Sequence, residues 1–205
     1  PRETKVMMIG NYLTLGDKVS PSTPAVLHLF DNSLPKNRLG LAQWLVRPEN
    51  PLTSRVFVNR WWASFMGRGI VRTQEDFGTQ GEAPTHPELL DWLAIEFVNK
   101  GWSMKYIHKL IVTSDTYRQS SIVTKSHLKK DPNNRFYARA PRVGFSAEMF
   151  RDSALATSGL LETKMFGPPV YPPQPDGIWR HVGRNAPKFL PAQNENRFRR
   201  AVYVV

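Results

Sequence analysis

His86, Glu88 and Asp91, with Asp76 shortly before them, offer the nitrogen and oxygen atoms that a divalent metal takes. His86 and Glu88 stand two apart at an expected helix start, so their side chains diverge. Glu88 also fits the reciprocal cap of Thr85 in the string Thr85-His86-Pro87-Glu88, so no metal is expected there. Ser114, Asp115 and His108 have the residue types of a hydrolase triad. No Gly-x-Ser-x-Gly turn frames a serine, and His108 fits the polar face of a short helix. Arg55 and Asn59, four apart on one helix with Arg60 following, could grip a carboxylate or sulfate through charge-assisted hydrogen bonds. The stronger alternative pairs Arg55 and Arg60 with Asp76, Glu88 or Asp91 and locks loop to helix. Trp179, near Tyr171 and beside Arg180 and His181, sits among prolines and glycines where no periodic pattern hides it. It could stack on a sugar or anchor a domain interface, and the interface is preferred. The candidate binding residues are Arg55, Asn59, Arg60, His86, Arg118, Trp179 and Arg180; no catalytic residue is assigned.

These residues sit in a chain of 205 residues, 40% hydrophobic and 22% charged, which is a globular composition. That length suits one domain with an arm, or two very small domains. Cysteine is absent, which excludes disulfides, thiolate zinc sites, iron–sulfur clusters, a cysteine nucleophile and covalent c-type haem attachment. No apolar run reaches the roughly 18–20 residues of a membrane-spanning helix. The net charge of +11 is unevenly placed. Residues 1–97 carry ten basic and ten acidic side chains, residues 98–150 ten against three, and residues 180–205 six against one. Such basic stretches attract phosphates, acidic glycans, anionic lipids or an acidic protein, or else find their counter-charge on a neighbouring domain.

Pattern then places the elements. Residues 4–9 read as a strand, and 20–24 as extended chain because prolines restrict it. Apolar periodicity and caps predict helices at about 38–46, 51–66, 86–99, 104–113 and 147–158. Asn50-Pro51 should open the second, the Thr85 capping box the third, Ser103 the fourth and Ser146 the fifth. Residues 160–205 form a proline-rich basic arm whose last six residues are β-prone and should pack against either the strand at 4–9 or an adjoining domain. The expected fold is mainly α: a helical, bundle-like core at 36–159, an N-terminal strand and extended segment at 1–35, and the arm. A small β element is expected from the two terminal segments. A strand ending on the last residue suggests a piece cut from a longer protein.

A resemblance adds context. The strings Leu39-Gly-Leu-Ala-Gln-Trp-Leu-Val, Asn50-Pro-Leu-Thr-Ser-Arg-Val-Phe-Val-Asn-Arg-Trp-Trp and Gly67-Arg-Gly-Ile-Val-Arg-Thr-Gln-Glu-Asp-Phe-Gly occur in order. Thr85-His-Pro-Glu-Leu-Leu-Asp-Trp-Leu-Ala, Gly101-Trp-Ser and Leu110-Ile-Val-Thr-Ser-Asp-Thr-Tyr-Arg-Gln-Ser-Ser follow. Together they resemble the planctomycete-specific domain of unknown function fifteen-fifty-three. That resemblance implies a C-terminal part of large exported proteins of Planctomycetes and Verrucomicrobia, behind a cytochrome-c-like domain and a second domain of unknown function. It also implies a periplasmic or envelope location, and a family pattern that usually continues past Val205. No cofactor is expected in this chain; any haem would sit on a neighbouring domain. The family often carries histidine where this chain has Ser64 or Phe65, so no metal or haem role is expected of that helix. The expected function is a noncatalytic interaction or scaffold module docking on neighbouring domains. The alternatives are an envelope domain that binds or degrades acidic polysaccharide and, lacking any recognition motif, a nucleic-acid binder.

Overall fold

The structure, a computed structural model, describes residues 3–175 and 190–204. Its contacts divide the chain into two units, Pro1–Val143 and Gly144–Val205.

In the first unit, strand β1 (Thr4–Met7) pairs antiparallel with β2 (Leu15–Val19), Thr4 opposite Val19 and Met7 opposite Leu15. Helices α1 (Arg38–Leu45), α2 (Thr53–Met66), α3 (Pro87–Asn99) and α4 (Met104–Thr113) follow, then two short ones, α5 (Asp115–Arg118) and α6 (Lys125–Lys130). The second unit holds α7 (Ala147–Thr157) and single 3-10 turns at Asn194–Phe198 and Ala201–Tyr203. The protein is therefore mainly helical with one small antiparallel β element.

The partner in that β element differs from the sequence expectation. Both strands come from the N-terminal segment, because the turn through Ile9 and Gly10, at φ 52° and 73°, brings residues 15–19 back at little cost in loop entropy. Residues 201–203 instead wind into a 3-10 turn, and isolated bridges join Glu162 to Arg199 and Val170 to Val204.

The core forms where α2, α3 and α4 meet. Val58, Trp62 and Met66 recur every four residues on α2 and are buried, as are Leu90, Leu93, Ala94 and Phe97 of α3 and Ile107 and Ile111 of α4. Ile70 and Val71, just beyond α2, and Tyr137 complete it. The parallel stripe of Phe57, Trp61 and Phe65 lies at the margin, with Phe57 exposed and Trp61 edge-on to both Phe97 and His108.

Caps explain the helix boundaries. Asn50 Oδ1 accepts from the amides of Leu52 and Thr53 at 3.0 and 3.2 Å, so it satisfies the first donors although α2 proper starts at Thr53. Ser103 and Ser146 cap α4 and α7. The Thr85–Glu88 capping box does not form. His86 precedes α3 without a side-chain cap, and Thr85 turns the other way, its amide donating to the Ile70 carbonyl at 2.9 Å and its hydroxyl at 3.3 Å. Proline at the first helical position removes one donor, and the connection from α2 claims the threonine. A capping box does form on α6, between Thr124 and His127.

Candidate functional site

Most of the residues singled out by sequence are used in holding the first unit together. Asn59 is fully buried: its amide nitrogen donates to the Val71 carbonyl at 3.0 Å and its Oδ1 accepts the Val71 amide at 2.8 Å. It thus pairs with a loop residue as a neighbouring strand would, pinning the turn after α2 beneath α3. Gly69 must be glycine for this to fit, since a Cβ there would lie 2.5 Å from the Val71 carbonyl and 2.9 Å from Asn59 Nδ2. Arg55 donates to Asp91 at 2.7 Å and to the Pro51 carbonyl at 2.7 Å, joining α2 to α3. Arg60 pairs with Glu75 at 3.1 Å, and Asp76 instead accepts from the Gly78 amide. His86 meets the Thr85 hydroxyl at 2.9 Å and packs against Tyr137 and Phe136. Arg118 ends α5 on the surface. Trp179 and Arg180, with His181, lie outside the described residues.

The other constellations separate in space. Asp91 is taken by Arg55, and among the described residues no three histidine, aspartate or glutamate side chains gather to hold a metal. The Ser114 hydroxyl donates to the Ile111 carbonyl and caps α5, while His108 stands edge-on to Trp61 and Phe65.

A different site emerges beside α2. Helix α2 ends on Gly67 in the left-handed region (φ 71°), where a Cβ would press on Val143 at 3.0 Å. The reversal places Arg68 against residues 121–123 and 132–143, and a cleft of about 310 Å³ lies between them. Its charged lining residues are Arg68, Arg139 and Arg142; none is a carboxylate. Arg139, 8% exposed, is held rigidly: its guanidinium donates to the carbonyls of Asp131 and Pro132 at 3.0 and 2.8 Å, and its backbone bonds on both sides to Asn134. Arg68 is partly buried, its Nε is shut off from solvent, and among the described residues its side chain makes no hydrogen bond or ion pair. Two carboxylates that feel its charge take their hydrogen bonds from other groups. Glu82 accepts from Arg72, and Asp131 from the amides of Arg135 and Phe136.

Asp131 is therefore the keystone of the loop that carries Arg139. Burial pushes its carboxyl up, but the amides of Phe136 and Arg135 and the charges of Arg139 and Arg68 outweigh this and hold it below its ordinary value. A carboxylate with a lowered folded-state pKa stabilises the fold above its unfolded-state value and loses that contribution as pH falls through the folded one. Acidification is accordingly expected to loosen residues 131–139. The amide NMR shifts of Arg135 and Phe136 should lose their hydrogen-bonded character at low pH, and Asp131→Ala should show the loosened shifts already at neutral pH. Shifts that stay constant through acid titration would contradict this role.

The second unit is organised by polar contacts. Arg199, 3% exposed, donates to the carbonyls of Pro168 and Phe166 at 3.0 and 2.6 Å and lies over the Tyr203 ring. Arg151 donates to the carbonyls of Arg199 and Arg197, and Asp152 accepts the Ala201 amide. These contacts use one side of α7. On the rest of the helix no residue is buried: Met149 and Phe150, with Phe145 just before the helix, are 55%, 69% and 62% exposed, and a shallow depression runs from Phe145 and Phe150 to Ala154 and Thr157.

The first unit is thus a small helical domain with a polar-clamped loop and an arginine-lined cleft, and the described residues of the second unit bury few apolar side chains. The chain belongs to the PSD1 family, described as a protein of unknown function (DUF1553), whose model matches residues 37–205. No curated protein and no solved structure matches it.

Proposed function

We propose that the chain is a noncatalytic interaction module that docks onto neighbouring domains of a longer parent protein. The observation that carries this reading is the make-up of the second unit. Among its described residues Ala201 is the single buried apolar one, while Phe145, Met149, Phe150, Met165 and Phe166 are exposed. A unit of that size needs a core, a covalent staple or a partner surface, and cysteine is absent. Helix α7, at 11 residues, is also too short to be stable in water on its own propensity, so its apolar side calls for a cover. An apolar surface on a neighbouring domain supplies both. In the first unit the residues with chemical potential, Arg55, Asn59, Arg60 and His86, are spent on structural bonds, which fits a binding rather than a catalytic role. No helix among the described residues is long and apolar enough to cross a membrane.

Amide exchange tests this reading. Residues 147–157 should exchange markedly more slowly in the intact parent protein than in this chain alone, with α2–α4 alike in both. Equal exchange of α7 in the two would overturn the docking role.

A further inference from the structure

We propose that the cleft beside Gly67 is a binding site for a carboxylated or sulfated sugar residue, a function independent of docking through α7. Three arginines and no carboxylate line it. A buried donor without an acceptor is costly, and Arg68 carries one: its Nε is enclosed and unbonded, while Glu82 and Asp131, which feel its charge, take their hydrogen bonds from other groups. An anion in the cleft would give Arg68 the bidentate partner its planar fork is shaped for. Arg139 is prepared for the same ligand. Backbone carbonyls hold its guanidinium in place, so no reorganisation is needed when the anion arrives.

The size and the remaining lining choose the class of anion. About 310 Å³ falls within the roughly 300–1,000 Å³ of small-molecule sites, more than a bare ion fills. Ser121 and Asn133 present a hydroxyl and an amide suited to sugar hydroxyls, and Val123, Pro132, Pro141 and Val143 give apolar surface for the C–H faces of a ring. No aromatic ring is among the lining residues, so the stacking platform that single-stranded nucleic acid uses is missing from this cleft.

Calorimetric titration of the full chain at low salt with glucuronate, glucose 6-sulfate, glucose, inorganic sulfate and hexaglutamate tests the site. One or both acidic sugars should bind about tenfold or more tightly than glucose and than inorganic sulfate, and which of them does so tells carboxylate from sulfate. Arg68→Gln should weaken that binding about tenfold or more, and Arg142→Gln, on the exposed rim, severalfold without changing the melting temperature. Lys129→Gln, an exposed lysine on α6, should leave it unchanged. Inorganic sulfate binding as tightly as the sugars would overturn the proposal, and so would sugar binding indifferent to both arginine variants. Hexaglutamate binding more tightly, in an Arg68-dependent way, would overturn it in favour of an acidic protein segment.

Discussion

Replacing Asn59 with leucine is expected to lower the unfolding free energy by about 3–5 kcal/mol. The side chain is fully buried, and both of its polar atoms are matched to the amide and carbonyl of Val71. Leucine keeps roughly the volume but leaves two buried backbone groups unpaired, each costing about 1–3 kcal/mol. The turn through Gly69, Ile70 and Val71 would then lose its attachment beneath α3, and Ile70, fully buried, and Thr85, bonded to the Ile70 carbonyl, would feel the shift. Against a total stability of roughly 5–15 kcal/mol for a domain, such a loss is large. Urea unfolding followed by tryptophan fluorescence measures it; a loss below about 1 kcal/mol would mean that the Asn59–Val71 pairing is not what holds the loop. Asn59→Asp should also be strongly destabilising, because aspartate can accept the Val71 amide but presents an acceptor to its carbonyl.

The helices that carry Asn59 were legible in the sequence because a buried face leaves a period. Val58, Trp62 and Met66, and Leu90, Leu93, Ala94 and Phe97, repeat at helical spacing, and Ser103 and Ser146 mark starts that the structure keeps. Helices α5 and α6 are too short to show a period, and neither buries a residue. The Thr85–Glu88 string misled because a capping box needs its threonine free, and the carbonyl of Ile70, fifteen residues earlier, claims it. The pairing of 4–9 with the C-terminal residues was suggested by β propensity alone, and a strand beginning at Leu15 was a nearer partner.

The site was legible only in part. The excess of basic residues between 98 and 142 was visible, and Arg139 and Arg142 belong to it. Their meeting with Arg68 was not, since it depends on the reversal at Gly67 and on the Asp131–Arg139 loop folding back on itself. Arg55 and Arg60 attracted attention by type and spacing, and the carboxylates expected to absorb them were nearly right: Asp91 takes Arg55, while Glu75 rather than Asp76 takes Arg60. The role of Asn59 lay in a contact with a loop twelve residues on, which neither composition nor periodicity records.

Docking through α7 carries the second large effect. Phe150, 69% exposed, lines the depression together with Phe145, Ala154 and Thr157, and an exposed aromatic of this kind is what anchors an interface. Aspartate in its place would put a charge into the proposed contact, while Arg151 and Asp152 keep their bonds to Arg199 and Ala201. The most direct measurement is the affinity between this chain and the remainder of its parent protein, prepared as two polypeptides, for the native sequence and for Phe150→Asp. Docking predicts a dissociation constant raised about thirtyfold or more, corresponding to roughly 2 kcal/mol, with the melting temperature of the free chain unchanged. An affinity indifferent to the substitution, or no association of the native chain at all, would contradict it.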